Sequence, residues 1–236
     1  MHSILERFVK PVAYVNAVCL VLVIIYCSIM APTFNINFYE RQFIRNNTHS
    51  FVRIEPEHLT AVTLHMMDYM RGKNDSLQIR TYINGEETYF FTERAVEHMV
   101  DVRNLFTIGR TIFFISIGLF IVSLSVGLLT KSFAKLFKSY RNAALCTAGL
   151  FALIGLIALI NFEFAFDWFH HIFFFNDLWL LNHYDNLLNI VPIPFFISIS
   201  LYIGTLLTLS LAAMVAGGHF FYRFFTNRGE AANGGA

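Results

Sequence analysis

Long apolar runs alternate with polar segments along the chain. A membrane-crossing helix needs roughly 20 mostly apolar residues, and four stretches reach that length: 11–31, 105–130, 143–162 and 193–217. They predict four transmembrane helices. The first resembles a secretory leader, because Lys10 precedes it, but its apolar core is too long and no A-x-A site follows. It therefore reads as an uncleaved anchor, ended by Pro32. The terminal segments are 1–10 and 218–236, the latter expected to fray beyond Gly218, and the short connections are 131–142 and 163–192.

Residues 32–104 alternate polar and hydrophobic positions more evenly and predict a small α/β domain between spans one and two. Glu57 to Tyr69 repeats apolar residues at helical spacing, and Gly72 is placed to end that helix. Leu77 to Tyr82 and Thr88 to Phe91 flank Asn84-Gly85, a pair that tolerates the positive φ of a tight hairpin. Thr92 can cap the following helix, whose first turn carries Glu93, favourable to the helix dipole. That helix meets no breaker before the second span.

Composition agrees with this pattern: apolar residues make up 56% of the chain and charged ones 14%, outside the range of an average soluble domain. A net charge of +1 and the lack of a compact basic patch give no support to a nucleic-acid partner. Cys19, Cys27 and Cys146 all lie in apolar runs, where they are expected to pack rather than to form disulfides, bind zinc or act as nucleophiles. No internal repeat is present, and no feature sets an oligomeric state.

Charge distribution orients the spans. Arg7, Lys10, Lys131, Lys135, Lys138, Arg141, Arg223 and Arg228 share one side, while 163–192 contains no Lys or Arg. The positive-inside rule then makes both termini cytoplasmic. The 32–104 segment is too long to count strongly under that rule and carries more acidic than basic residues. It is expected outside with 163–192.

Titratable residues concentrate between Asn161 and Phe196, where His170, His171 and His183 accompany Glu163, Asp167, Asp177 and Asp185 among phenylalanines. Three readings of His170-His171 are open. A metal site could recruit His98, His183 or Asp167, although neither HExxH nor spaced histidine boxes occur. A structural pair would belong to an interfacial aromatic belt. Proton-transfer chemistry is the third, since imidazole titrates near neutrality. His98 and Asp101 lie about one turn apart on one helix face, where the carboxylate could orient the ring; the plainer reading is a surface histidine. Arg103 and Arg110 lie near the same interface. Arg110, inside the second span, is expected to pair with Glu163, with contact to an oxyanion or a lipid carbonyl as the alternative. There is no G-x-S-x-G, no glycine-rich phosphate loop and no outward-facing cysteine, so acyl chemistry here would take its nucleophile from the substrate.

The run ERAVEHMVDVR around His98, F-H-x-I-F-F at Phe169 to Phe174, Trp179, D-x-L-x-x-x-V-P from Asp185 to Pro192 and the pair Phe195-Phe196 resemble, in that order, the lipoprotein intramolecular transacylase (Lit) family. The resemblance covers nearly the whole chain. It implies a four-span enzyme of the bacterial cytoplasmic membrane that moves an acyl chain from the sn-2 ester of a diacylglyceryl-modified lipoprotein onto the α-amino group of its N-terminal cysteine, giving the lyso-form. It further implies no cofactor, no metal, and lipoprotein and membrane lipid as partners. The family's two essential histidines fall on His98 and His170. His171 stands where the family has glutamate and is not equated with the catalytic one, while Asp101, Arg103, Asp185 and Pro192 match supporting positions. A membrane metalloenzyme and a non-enzymatic sensor or assembly factor are the competing classes.

Overall fold

The computed structural model describes residues 2–233, with side chains from Val9 to Arg228. In chain order its elements are α1 (His2–Thr33), α2 (Ile36–Arg45), α3 (Thr48–Val52), α4 (Pro56–Met70), β1 (Arg80–Ile83), β2 (Glu86–Tyr89), α5 (Glu93–Leu129), α6 (Phe133–Ile160), α7 (Phe162–Phe173), α8 (Asn186–Ile190) and α9 (Ile193–Asn233). By length and composition α1, α5, α6 and α9 can each cross a membrane. At 37 residues, α5 is about 55 Å long, well beyond the ~30 Å of a hydrocarbon core. Its surplus lies at its start, where Glu93, Arg94, Glu97, Asp101 and Arg103 precede the apolar run.

Two compact units form, one from Met1–Ile29, Thr111–Leu156 and Gly204–Ala236, the other from Met30–Arg110 and Ile157–Ile203. The first is an apolar helix bundle whose core takes Ala13, Ala17 and Val21 from α1, Leu136 and Ala144 from α6, and Leu207 and Leu211 from α9. Small side chains let such helices approach closely. At Gly218 a Cβ would meet Arg141 N and Phe137 O at 2.9 Å, so only glycine fits there. Fully buried Asn16 donates through Nδ2 to Phe120 O and Ser123 Oγ, each at 2.8 Å, and accepts from the Tyr140 hydroxyl. One amide thus joins α1, α5 and α6.

The second unit carries most of the charged residues and has an aromatic-rich core. Asn35 caps α2 by accepting from Phe38 N at 3.3 Å, and the buried face of α2 presents Phe38, Tyr39 and Phe43. Phe38 and Tyr39 pack on Phe195 at the start of α9, with centroids 5.6 and 4.8 Å apart. Leu59, Val62 and Met66 of α4, Ala95 and Met99 of α5, and Leu187 and Ile190 of α8 complete this core. Burying each large side chain contributes about 1.5–3 kcal/mol, and here that gain requires 30–110 and 157–203 together.

The expected domain 32–104 is therefore not closed on itself; the segment after α6 supplies part of its core. Asn84-Gly85 does form the two-residue turn, with Ile83 opposite Glu86 and φ of 54° and 82°; the first strand is shorter than the run from Leu77 suggests, and the second is as long as expected but starts two residues earlier. Helix α4 stops at Met70, with Gly72 at φ 77°. Helix α1 runs one residue past Pro32, α6 begins at Phe133 and includes Lys135, Lys138 and Arg141, and α9 passes Gly217 without a break. The frayed tail is thus helical to Asn233, its last three residues lying outside the described ones. Cys19 is buried, but Cys27 and Cys146 are exposed on their helices, so only Cys19 packs as expected.

Candidate active site

His98 is buried because of its place on α5. It follows Ala95 by three positions on the stripe that continues through Val102 and Phe106 into the core of the second unit. His170 sits on α7, whose N-cap Asn161 accepts from Phe164 N at 3.0 Å. Both imidazoles are 7% exposed, and their ring centroids are 6.2 Å apart at an interplanar angle of 35°.

Aromatic rings surround the pair. Trp179 stacks on His170 at 4.6 Å and 27°, Phe166 lies 4.2 Å from the same ring, and Phe174 stands edge-on to His98 at 5.2 Å. Nδ1 of His170 lies 2.7 Å from Phe166 O. A carbonyl only accepts, so the bond assigns the proton to Nδ1 and leaves Nε2 of the neutral ring with a free lone pair. Nδ1 of His98 is buried without a hydrogen-bond partner. Burial holds His170 below the ordinary imidazole range; the Phe166 bond and Asp167 oppose this in part, and His171 adds to it. The ring is therefore neutral at neutral pH, a form able to accept a proton.

The pair is held by bonds between the start of α5 and the 174–186 segment. Thr92 Oγ1 accepts from Ala95 N at 3.2 Å, capping α5, and donates to Asp185 Oδ2. Asp185 is 4% exposed, and its other oxygen accepts from Leu187 N at 2.9 Å to cap α8. Arg94 donates to the carbonyls of Asp177 and Leu180, and Asn186 Nδ2 donates to Phe90 O at 2.8 Å. Arg94, Asn176 and Asn186 carry no local signal as positioning groups, whereas the cap at Thr92 is legible in sequence and Trp179 and Asp185 stand in the motifs of the family resemblance.

Other expected residues are placed differently. Asp101 accepts from Asn176 Nδ2 at 2.8 Å, which ties down the connecting segment, while its charge favours the protonated form of His98. Arg110 does not pair with Glu163; its Nη1 donates to Arg71 O at 2.7 Å, because the C-terminal carbonyls of α4 lie within its reach. Arg103 approaches Asp75 at 3.8 Å and covers the Tyr69 ring at 4.8 Å. His171 is exposed, with Nδ1 donating to Asp167 O at 2.8 Å. His183 is also exposed, its ring tilted against that of Tyr184, so the three histidines do not form one cluster. Among the described residues, no three His, Cys, Asp or Glu side chains are grouped to hold a metal ion.

The profile of the lipoprotein intramolecular transacylase Lit family matches residues 14–196. The chain belongs to the Lit family. Lit is an acyltransferase-type enzyme family, and with four membrane-length apolar helices this member is an integral membrane protein. The fold is that of the in meso structure of the membrane integral lipoprotein intramolecular transacylase Lit from Bacillus cereus: TM-score 0.73 at 17% identity, covering 97% of this chain and 99% of that one. A histidine-to-alanine variant of the Bacillus cereus enzyme superposes with TM-score 0.72 at 18% identity, covering 96% and 97%. A histidine-to-arginine variant gives 0.67 at 18% identity, covering 96% and 94%. No curated protein matches the chain.

Proposed function

We propose that this Lit-family member transfers an acyl chain within its substrate, from the sn-2 glyceryl ester to the α-amino group of the lipidated N-terminal cysteine of a bacterial lipoprotein, with His98 and His170 as the acid/base pair. The observation that carries this reading is the approach of two buried imidazoles to 6.2 Å inside an aromatic shell. No serine or cysteine nucleophile is needed, because the substrate's amine attacks the ester carbonyl. One imidazole takes the proton that the amine loses. The tetrahedral intermediate then expels the glyceryl oxygen, which receives that same proton, handed on across the imidazole pair, so no proton is gained or lost overall.

The energetics are modest. An α-amino group has a reference pKa of about 7.7–8.0, so a fraction is neutral at physiological pH. His170, lowered by burial, is a weaker base than free imidazole but a stronger acid once protonated. Phe166, Phe174 and Trp179 exclude water that would otherwise hydrolyse the ester. Holding amine and ester together in such surroundings supplies the proximity contribution.

In this reading the spans are 11–31, 105–130, 143–162 and 193–217, the basic residues 131–141 and both termini face the cytoplasm, and the histidines stand at the outer leaflet. Asp185 and Asp101 act by positioning, and His171 does no chemistry. Mass spectrometry of a reporter lipoprotein coexpressed with the protein tests the reaction. One acyl chain on nitrogen and one on glycerol is expected; an unchanged diacylglyceryl product overturns it.

A further inference from the structure

Away from the histidines, two arginines converge on a turn at the end of α4. The point that a Cβ on Gly72 would occupy lies 3.8 Å from Nη2 of both Arg103 and Arg110, so the two guanidinium groups stand within twice that distance of each other. They leave α5 seven positions apart, about 10.5 Å along the helix axis. For both to reach Gly72, Arg110 must run back along α5 from within the apolar run toward Arg103, as a snorkelling cation does. Gly72 suits this turn because its φ of 77° is one that other residues rarely adopt.

The neighbouring charges are unevenly paired. Asp68 lies 3.5 Å from Arg71 and 3.2 Å from Lys73, and fully exposed Asp75 lies 3.8 Å from Arg103. Among the described residues Arg110 has no carboxylate partner; it spends one N–H on Arg71 O. Two like charges brought together beside an apolar surface are unfavourable unless an anion joins them. Phe34, under Arg71 at 4.3 Å, and Tyr69, under Arg103, add apolar surface beside the cations. Planar guanidinium groups match phosphate oxygens in a bidentate geometry.

We infer that Arg103 and Arg110, meeting over Gly72, form a binding site for a phosphate group, supplied by the headgroup of an anionic phospholipid whose acyl chains lie along the apolar part of α5. The site does not depend on the proposed reaction, and it is read out by binding alone.

Native mass spectrometry of the full chain, released from detergent with phosphatidylglycerol added, tests the site. Wild type should retain the lipid, Arg103→Gln and Arg110→Gln should each weaken retention about tenfold, and Arg80→Gln on the exposed hairpin should not. Arg103→Gln keeps the test open if loss of the Arg110 bond to α4 prevents folding. Equal retention by wild type and Arg103→Gln overturns the site. Loss of bound lipid on adding millimolar inorganic phosphate assigns the site to a free anion and overturns the lipid source.

Discussion

Each unit buries a polar cluster, Asn16 with its partners in one and the two histidines in the other, and the two differ in how fully their groups are satisfied. In the apolar unit, Asn16, Ser123 and Tyr140 exchange hydrogen bonds until each side chain has a partner. In the polar unit, His98 keeps an unpaired buried nitrogen and His170 spends only Nδ1 on the backbone. Buried polar groups are expensive to leave unpaired. The first arrangement joins helices, and the second retains proton-transfer capacity at some cost in stability.

Four substitutions or conditions test this contrast, in decreasing order of effect. His98→Ala or His170→Ala should lower the transacylation rate by about 10²–10⁴-fold while the protein still accumulates in membranes; a fully active variant would take that residue out of the mechanism. Asn16→Leu should do the opposite, lowering stability by about 1–2 kcal/mol in a thermal melt while activity per folded molecule stays level. Thr92→Val removes the cap of α5 and the donor to Asp185 together. It should cost about 1 kcal/mol and slow the reaction severalfold, and Thr92→Ser should recover both.

The smallest effect is that of pH. Because the folded-state pKa of His170 is lowered, the unfolded chain takes up this proton first on acidification. Stability from this residue is complete above the unfolded value of about 6.5 and declines as pH falls toward the folded value. The rate should fall over the same acid limb, below the ordinary imidazole range, as Nε2 loses its lone pair. His170→Gln should remove its share of the stability decline, and a melt series between neutral and acid pH would measure that share.

What the sequence discloses depends on how local each signal is. Apolar runs marked the four long helices and Asn84-Gly85 marked its turn, because a few adjacent residues determine each. Helices α2, α7 and α8 are less visible: α7 begins FEFAFDW, where apolar and polar positions nearly alternate as they would in a strand. The joining of His98 to His170 is suggested by family resemblance rather than by spacing. Helical spacing brings Asp101 near His98, on which its charge acts, but does not disclose Asn176, a distant residue that donates to one of its oxygens. Depth along the spans likewise points Arg110 to Glu163, but its guanidinium donates to the carbonyl of Arg71.

The bonds holding the 174–186 segment to the start of α5 also impose an order of assembly. Asn176 with Asp101, Asp177 and Leu180 with Arg94, Asp185 with Thr92, and Asn186 with Phe90 all join residues far apart in the chain. Loop closure across such distances is slow, and a chain made from its N-terminus presents His98 long before its partners exist. The imidazole pair is thus a late product of biosynthesis, and a nascent chain halted before residue 186 carries His98 without the full set of bonds that holds the pair.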